Sequence, residues 1–435
     1  MAEVRLMTLD PGHFHAALVQ KEMYAGVSPR VDVYAPLAPD LLAHLSRIAA
    51  FNTRAASPTA WELEIHAGPD SEARLLKERP GNVVVLSGKN DRKMARIHAA
   101  VNAGLNVLAD KPWVLTPDQL PMLEEALDTA ERKGLVALDI MTERHEITSL
   151  LQRELVNDRE VFGEPVTGSE REPGVFMESV HYLCKLVAGQ PLRRPPWFFD
   201  VRQQGEGLTD VGTHLVDLVP WMLFPGQGID QHKEVELRTA KRWPTVMSRT
   251  DFQRVTGESE FPAYLRPQIE HDKLNYFCNT QVGYKLRGIH VRLNILWDFE
   301  ASAGSGDTHL AVFRGTRARV EVRQGKEQNF RPELYVVAND PGQRPATHAA
   351  LDRKVRSLAG LYPGLGIVQT GVELQVTIPD SYRIGHEAHF AQVTGQFLQY
   401  LKDPRSLPVW EKANMLAKYA VTTRGVELSQ EGRSA

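Results

Sequence analysis

The chain has only two cysteines, Cys184 and Cys278, so it carries neither a disulfide framework nor the spacing of a cysteine metal site. It has no apolar run long enough to cross a membrane, and the strand-like segment that begins at Val4 leaves no room for a secretory signal. Because 51 basic residues face 54 acidic ones, the net charge is only −3, which argues against nucleic acid as a partner. We therefore expect a cytoplasmic protein with no membrane or nucleic-acid partner.

The sequence also lacks a complete glycine fingerprint for dinucleotide binding. Val4–Leu9 reads as a short strand that is followed by a tight turn and then a helix. In the pattern G-x-G-x-x-G, only the second glycine is present, as Gly12, because Asp10 and His15 occupy the first and third positions. The strand, turn and helix layout still brings backbone amides toward a phosphate, so the prediction here is an anion site at Gly12.

Histidines gather at two places in a way that resembles metal sites. His13 and His15 could form a metal pair, but no third ligand stands near them in the sequence, so we predict no metal and instead a contact with cofactor phosphates. The second group, His386, Glu387 and His389, lacks the reciprocal spacing of a zinc motif. We expect that group to mark a helix start and the edge of a core.

Strand and helix patterns alternate over about the first 140 residues, which predicts a doubly wound parallel sheet, the Rossmann architecture. Asn82–Ser87 is a continuous apolar run, typical of a strand buried on both faces. Ligands of such sheets bind beyond the carboxyl ends of the strands, where Gly88 and Lys111 stand. The second strand, Val31–Ala35, is not followed by the acidic residue that binds ribose hydroxyls, so the choice between NAD and NADP stays open.

A chain of 435 residues exceeds the usual size of one core, so we predict two domains, 1–143 for the dinucleotide and 144–435 for substrate binding and oligomerisation. From Lys233 onward strand-like alternation dominates, which predicts a large, mainly antiparallel sheet with one open face. Because a second copy often covers such a face, we expect a homo-oligomer, a dimer or tetramer. Ser248–Tyr276 shows no clear period and is predicted to be an insertion. Two terminal helices are expected to pack back on the first domain.

The segment from Gly205 to Trp221 separates into an apolar arc and a polar stripe when it is laid out as a helix. Asp210, His214 and Asp217 fall on the stripe, at spacings of four and three residues. A carboxylate beside an imidazole orients the ring and tunes it as a general base. The stripe therefore predicts a proton-transfer group, with a polar helix edge as the alternative.

Two further groups are candidates for substrate binding. His181 and Lys185 stand four residues apart and are predicted to share one face of a helix that lines the pocket. Trp197 begins an aromatic cluster with Phe198 and Phe199, and it is predicted to stack on a sugar ring. The alternative for this cluster is a place in the core.

Two motifs together resemble the Gfo/Idh/MocA family of nicotinamide-dependent sugar oxidoreductases. The fifth Rossmann strand of that family ends in E-K-P, which appears here as Asp110-Lys111-Pro112. Its first long helix of the second domain carries G-G-G-x-L-x-D-x-x-x-H-x-x-D, which appears here from Gly205 to Asp217 with glutamate at the second position. The two motifs lie about 100 residues apart in this chain, as they do in the family.

The resemblance implies an enzyme that transfers hydride between a secondary hydroxyl of a sugar, glycoside or polyol and NAD or NADP. It implies that Lys111 contacts the substrate hydroxyl and the nicotinamide ribose, that His214 accepts the proton, and that Asp210 orients it. Asp217 is predicted to bind substrate. The residues predicted to bind the cofactor are Gly12, His13, Phe14, Gly88, Asp110, Lys111 and Pro112.

Two alternatives remain open at this point. The first is an enzyme of the same architecture that cleaves glycosides, in which a tightly held NAD oxidises the sugar transiently and elimination breaks the bond. The second is a non-catalytic sensor that binds a sugar or nucleotide. Added substrate would reduce free NAD only for the dehydrogenase, and replacing His214 would leave the ligand affinity of a sensor nearly intact.

Overall fold

The computed structural model describes residues 3–187, 190–302 and 304–432. These residues form two compact units, and each unit is assembled from three separate segments of the chain. The sequence predicts instead two continuous domains that meet after residue 143. The first unit consists of Met1–Thr142, Trp197–Gly205 and His386–Lys412. The second unit consists of Glu143–Pro196, Glu206–Gly385 and Ala413–Ala435.

The first unit contains a parallel sheet with helices between its strands. In its described residues the strand order is β3-β2-β1-β4-β5-β6, and every pairing is parallel. The predicted Rossmann architecture is confirmed. Its strands are β1 (Leu6–Leu9), β2 (Arg30–Ala35), β3 (Glu62–Ala67), β4 (Val83–Leu86), β5 (Asn106–Asp110) and β6 (Ala137–Ile140). Its helices are α1 (His15–Leu18), α2 (Pro39–Thr53), α3 (Ser71–Glu78), α4 (Lys93–Asn102), α5 (Leu120–Lys133) and, near the C-terminus, α10 (His386–Lys402).

The central strands of this sheet are apolar because both of their faces are covered. All four residues of β1 and all four of β4 are buried, as expected for parallel strands between helices. Phe390 and Phe397 of α10 belong to the same core cluster as Val31 and Val33 of β2. The helix predicted at 387–401 therefore begins one residue earlier, at His386, and is part of the first unit.

The second unit contains a large mixed sheet, mostly antiparallel, as predicted. The order of the strands in its described part is β10-β12-β13-β7-β14-β15-β16-β18-β17, and only β13 and β7 pair in parallel. Its strands are β7 (Val175–Cys184), β8 (Leu186–Val187), β9 (Gln190–Pro191), β10 (Val235–Met247), β11 (Ile269–Glu270), β12 (Lys273–Leu286), β13 (Ile289–Glu300), β14 (Thr308–Arg314), β15 (Ala318–Gln324), β16 (Glu333–Ala338), β17 (Gly366–Thr370) and β18 (Glu373–Thr377). Its helices are α6 (Ile147–Val156), α7 (Gly212–Leu223), α8 (Arg249–Thr256), α9 (Arg344–Ser357) and α11 (Glu411–Gln430), whose last residues from Ala413 onward belong to this unit.

The sequence-based prediction of a helix around His181 is wrong. Residues 175–184 form β7, which lies between β13 and β14 in the centre of the sheet. A spacing of four places two residues on one face of a helix and equally on one face of a strand, so the spacing alone could not decide. Pairing with two long strands decides in favour of the strand.

The segment Ser248–Tyr276 is also more regular than predicted. It contains the eight-residue helix α8, whose N-terminus carries a capping box formed by Ser248 and Asp251. Its end is the start of β12, a 14-residue strand that pairs with β10 and β13. No helix in the described residues is long and apolar enough to cross a membrane.

Candidate active site

The turn after β1 holds an aspartate where the fingerprint has its first glycine. Asp10 has a φ of +49°, in the left-handed region that glycine adopts most easily. Its carboxylate forms an ion pair with Arg96 at 2.7 Å, and its carbonyl oxygen accepts a hydrogen bond from the backbone N–H of Gly12 at 2.8 Å. A Cβ at Gly88 would lie 2.3 Å from that carbonyl oxygen, so only glycine fits there. The turn therefore keeps a glycine-like backbone without the complete fingerprint.

The helix after this turn is shorter than predicted. α1 contains four residues, so it contributes only a small dipole at its N-terminus. The predicted anion site therefore depends on the side chains and amides of the turn more than on a helix. Phe14, the residue that precedes α1, packs its ring 4.4 Å from the ring of His15 and 4.7 Å from that of His13.

Two imidazoles and a carboxylate meet beyond the ends of β1 and β5. We call His13, His15 and Asp110 the His13 cluster, because their nitrogen and oxygen atoms lie within 4.8 Å of one another. His15 Nδ1 donates to Asp110 Oδ2 at 2.8 Å, and His13 Nδ1 lies 3.7 Å from the same oxygen. Ser87, directly after β4, donates its hydroxyl to that oxygen at 3.1 Å. The order β1-β4-β5 thus brings three separated segments together.

The electrostatics of this cluster favour an ionised carboxylate. Burial alone would raise the pKa of Asp110, but the pair with His15 and the nearby Lys93 hold it well below its usual range. Burial lowers the pKa of His15, although Asp110 opposes this, and Lys111 lies close enough to add a further lowering effect. The ammonium of the buried Lys93 donates to the backbone carbonyl of Asp110 at 2.8 Å. Near neutral pH the cluster therefore pairs a carboxylate with a neutral imidazole.

Trp197 lies in the first unit, beside the turn after β1. Its indole N–H donates to Asp40 Oδ2 at 3.0 Å, and a Cβ at Gly12 would lie 3.2 Å from both side chains. Trp197 is buried. Lys111 is half-buried and Pro112 is buried, directly after Asp110. The residues predicted to bind the cofactor are therefore gathered at the carboxyl ends of β1, β4 and β5.

The helix that carries the predicted base begins later than expected. α7 starts at Gly212, so His214 lies in its first turn, and Asp210 lies in the preceding turn instead of on the helix. A glycine-dependent approach causes this late start, because a Cβ at Gly207 would lie 1.9 Å from the carbonyl oxygen of Cys278. The turn is fixed against β12 by that contact. Asp210 is buried and His214 is half-buried.

His181 and Lys185, both predicted to bind substrate, lie in one cluster of polar side chains at the end of β7. We call Ser179, His181, Lys185 and Asp307 the His181 cluster. His181 Nδ1 donates to Asp307 Oδ2 at 3.2 Å, and Ser179 donates its hydroxyl to His181 Nε2 at 2.8 Å. Lys185 Nζ donates to the same Asp307 oxygen at 2.7 Å, and the ring of Trp297 lies 4.8 Å from that of His181.

Asp307 is the anion of this cluster. Burial would raise its pKa, but His181 and Lys185 outweigh burial and lower it to about 2. On the neighbouring strand, burial lowers the pKa of His309 to about 4, against a raising effect of Glu143. The cluster thus offers a carboxylate, an ammonium, an imidazole and a hydroxyl, which are the groups that bind sugar hydroxyls.

The half-buried Arg194 is influenced electrostatically by acidic residues of two segments. Burial lowers the pKa of Arg194, and Tyr276, Asp210 and Asp307 are all close enough to raise it. Its guanidinium also lies 5.3 Å from the ring of Trp297. Asp210 and Asp307, which are 97 residues apart in the sequence, therefore both raise the pKa of this arginine within the second unit.

Asp217 is a buried residue of α7 that pairs with the buried Lys418 and the half-buried Arg144. Its carboxylate accepts from Arg144 at 2.6 and 2.7 Å and from Lys418 at 2.9 Å. Burial would raise its pKa, but these two cations hold it well below its usual range. The structure thus gives Asp217 a packing role, and its contact with substrate stays a prediction.

Sequence reasoning missed Ser179, Arg194 and Asp307. Of these three, only Ser179 could have been found from the sequence. It stands two residues before His181, so the two side chains lie on the same face once the segment is assigned as a strand. Asp307 stands in a loop before β14, and Arg194 stands before two prolines. Only the pairing of β7 with β14 brings Asp307 to His181.

The chain matches known protein families in sequence and in fold. The family model described as "Putative oxidoreductase C terminal domain" matches residues 151–430. A crystal structure described as a "putative oxidoreductase" of Parabacteroides merdae is 46% identical, with a TM-score of 0.96 over 99% of this chain and 98% of that one. Among curated proteins, none matches the chain in sequence.

More distant structures share the fold alone. A protein from gentamicin A biosynthesis, solved with NAD, is 15% identical, with a TM-score of 0.59 over 100% of this chain and 96% of its own. A 3-ketoreductase of Actinomadura kijaniata, solved with NADP and TDP-benzene, is 14% identical, with a TM-score of 0.54 over 95% of this chain and 94% of its own. The fold expected from the resemblance to Gfo/Idh/MocA oxidoreductases is therefore confirmed.

Proposed function

The chain belongs to the family described as "Putative oxidoreductase C terminal domain", and from this premise we propose that it transfers hydride between a secondary hydroxyl of a sugar, glycoside or polyol and NAD or NADP. Proteins that share its fold were solved with each of these cofactors, which supports the cofactor class and leaves the choice between them open. We further propose that the protein is cytoplasmic and that it forms a homo-oligomer. Residues of β12 and β13 alternate between buried and partly exposed, so one face of the large sheet is open and a second copy can cover it.

The residues beyond β1, β4 and β5 fit a dinucleotide. The sheet order places a switch of direction between β1 and β4, which is where dinucleotides bind in such sheets. Gly12 and Gly88 leave no Cβ in this crevice, and Asp10 supplies the left-handed turn. The residues that would hold the cofactor are Gly12, His13, Phe14, Gly88, Asp110, Lys111 and Pro112.

One observation supports the substrate assignment most directly: Asp307 gathers His181 and Lys185 into one hydrogen-bonded polar cluster, with the ring of Trp297 beside it. The pairing of β7 with β14 thus brings a carboxylate, an ammonium, an imidazole and a hydroxyl together from two segments that are far apart in the sequence. Such convergence of buried polar groups is typical of a binding site. A purely structural helix edge would not need this second set of groups.

The proposed roles follow from the chemistry of alcohol oxidation. A bound nicotinamide supplies the hydride acceptor or donor. His214 accepts the hydroxyl proton as general base, and Asp210 orients its imidazole. Lys111 donates a hydrogen bond to the substrate hydroxyl. His181 and Lys185 are the proposed substrate contacts, and Ser179 and Asp307 position His181. Asp217 and Trp197, predicted from the sequence to contact substrate, are buried and bonded to other side chains, so we give them no direct contact in this proposal.

The test is a substrate screen on the purified full chain. Any retained dinucleotide is extracted and identified, and then sugars, glycosides and polyols are offered with NAD or NADP while absorbance of the reduced nicotinamide is followed. We expect a His214→Asn variant to lose about 100-fold or more in kcat, since general-base catalysis contributes about that much. The matched control is His232→Asn, at an exposed histidine of the same unit.

The screen also separates the two alternatives. Release of an aglycone from a glycoside without net reduction of free NAD would replace the dehydrogenase with the glycoside-cleaving enzyme. Ligand binding that is equal in wild type and His214→Asn, with no turnover in either, would replace it with a sensor.

A further inference from the structure

The His13 cluster contains a donor set that metal ions prefer. Two imidazoles stand two residues apart in one turn, and Asp110 supplies an acidic oxygen from the next-but-one strand of the sheet. Two histidines and one carboxylate suit divalent zinc, manganese, iron or cobalt. No third ligand stands near the two histidines in the sequence. The strand order of the sheet brings Asp110 to them as the third ligand.

The distances suit a single ion. With metal–ligand bonds of about 2.0–2.2 Å, neighbouring donor atoms lie about 3–3.5 Å apart. Here Nδ1 of His15 and Nδ1 of His13 lie 2.8 Å and 3.7 Å from Asp110 Oδ2. Binding would displace the proton that His15 Nδ1 donates to Asp110 and the hydrogen bond that His13 Nδ1 accepts from the backbone N–H of His15. Small side-chain movements would then bring the three donors to bonding positions around one centre.

The surroundings hold these donors in place. Ser87 donates a hydrogen bond to Asp110, as outer-shell groups do for carboxylate ligands in metal sites. The ring centroid of His15 lies 4.6 Å from that of Phe390 and 5.6 Å from that of His386. Lys93 donates a hydrogen bond to the backbone carbonyl of Asp110, which fixes the end of β5 that carries this carboxylate. A set of ligands that is fixed before binding costs little to order.

We propose that His13, His15 and Asp110 form a binding site for one divalent transition-metal ion in the first unit. Three protein ligands leave positions open for water or for an oxygen of a bound molecule, as in catalytic metal sites. The proposed function also assigns His13 and Asp110 to the cofactor, but the test of the metal site needs no dinucleotide and no substrate, so the two proposals can fail separately.

The test uses the full chain without a polyhistidine tag, freed of metal by EDTA and then desalted. Cobalt(II) is titrated in as the probe, and its visible d–d absorption and calorimetric heat are followed. We expect one ion per chain, and X-ray absorption of the complex should show two imidazoles. His13→Ala should weaken binding about tenfold or more and leave one imidazole, while His98→Ala, at a half-buried histidine on α4, should bind as wild type.

Asp110→Asn is the second variant, because it keeps the side-chain volume if His13→Ala disturbs the fold. We expect circular dichroism to show native structure in this variant and cobalt affinity to fall by about tenfold or more. Binding of less than one ion per chain by the wild type, or equal binding by both variants and wild type, would overturn the proposal. Nicotinamide-dependent activity of the metal-free enzyme would leave the proposed function standing by itself.

Discussion

Lys418 of α11 and Asp217 of α7 form an ion pair at 2.9 Å in which the lysine side chain is fully buried. Arg144 binds the same carboxylate, so one anion serves two cations. Such a group is costly to break because the remaining charges cannot reach water. This pair therefore ties α11 to the helix that carries His214.

The first prediction concerns that pair. Asp217→Asn should lower the free energy of unfolding by about 3–5 kcal/mol, because it leaves the buried Lys418 and the half-buried Arg144 without their anion. Urea denaturation measures this loss. Glu160→Gln, which breaks an exposed pair with Arg353, serves as the control and should change the free energy of unfolding far less, because water screens this pair. A change for Asp217→Asn as small as that of the control would contradict the packing role.

The second prediction concerns the left-handed turn at Asp10. Asparagine and glycine both tolerate this backbone and both remove the ion pair with Arg96, so Asp10→Asn and Asp10→Gly should differ from each other by about 1 kcal/mol or less. A β-branched residue does not, so Asp10→Val should cost about 2 kcal/mol more than Asp10→Gly. Thermal unfolding of the three variants measures the difference. If valine proved as stable as glycine, the backbone at this position would not require a left-handed residue.

The parts of the fold that could be predicted are those in which local pattern and burial agree. Asn82–Ser87 is apolar without alternation because β4 is covered on both faces, and the strand appears at 83–86. The terminal helices were likewise found within a few residues, at 386–402 and 411–430. In these segments neighbouring residues alone determine the structure.

The parts that could not be predicted depend on contacts between distant segments. The late start of α7 depends on the close approach of Gly207 to Cys278, and the strand at 175–184 depends on its pairing partners. Asp110 meets His13 through strand order, and Asp307 meets His181 through the pairing of β7 with β14. No spacing within one segment contains this information.

The third prediction concerns pH. Burial on α2 lowers the pKa of His44 to about 4, with a smaller lowering effect of Arg47, and neither ring nitrogen has a hydrogen-bond partner among the described residues. The unfolded chain, with an ordinary pKa of about 6.5, binds the proton more readily. Stability is therefore fully present above pH 6.5 and is lost as the pH falls toward 4, by on the order of 3 kcal/mol for this group.

A His44→Leu variant tests this dependence. Leucine fills similar space with no nitrogen to protonate or to leave unpaired, so the variant should match or exceed wild-type stability. Its advantage over wild type should grow as the pH falls from 6.5 to 4, as measured by urea denaturation at each pH. A constant difference between the two proteins over this range would show that His44 does not take up a proton on unfolding.

The last prediction concerns Asp307, which accepts hydrogen bonds from both His181 and Lys185. Asp307→Asn removes the charge that holds these two donors, and hydrogen bonds to charged groups contribute about 1.5–3 kcal/mol. If the cluster binds substrate as proposed, kcat/KM should fall about 10- to 100-fold, mainly through a higher KM, while the unfolding midpoint changes little. The matched control is Asp298→Asn, at an exposed position of β13. A kcat/KM for Asp307→Asn equal to that of the control, at wild-type stability, would remove the His181 cluster from the substrate site and leave the assignment of His214 to be judged by its own variant.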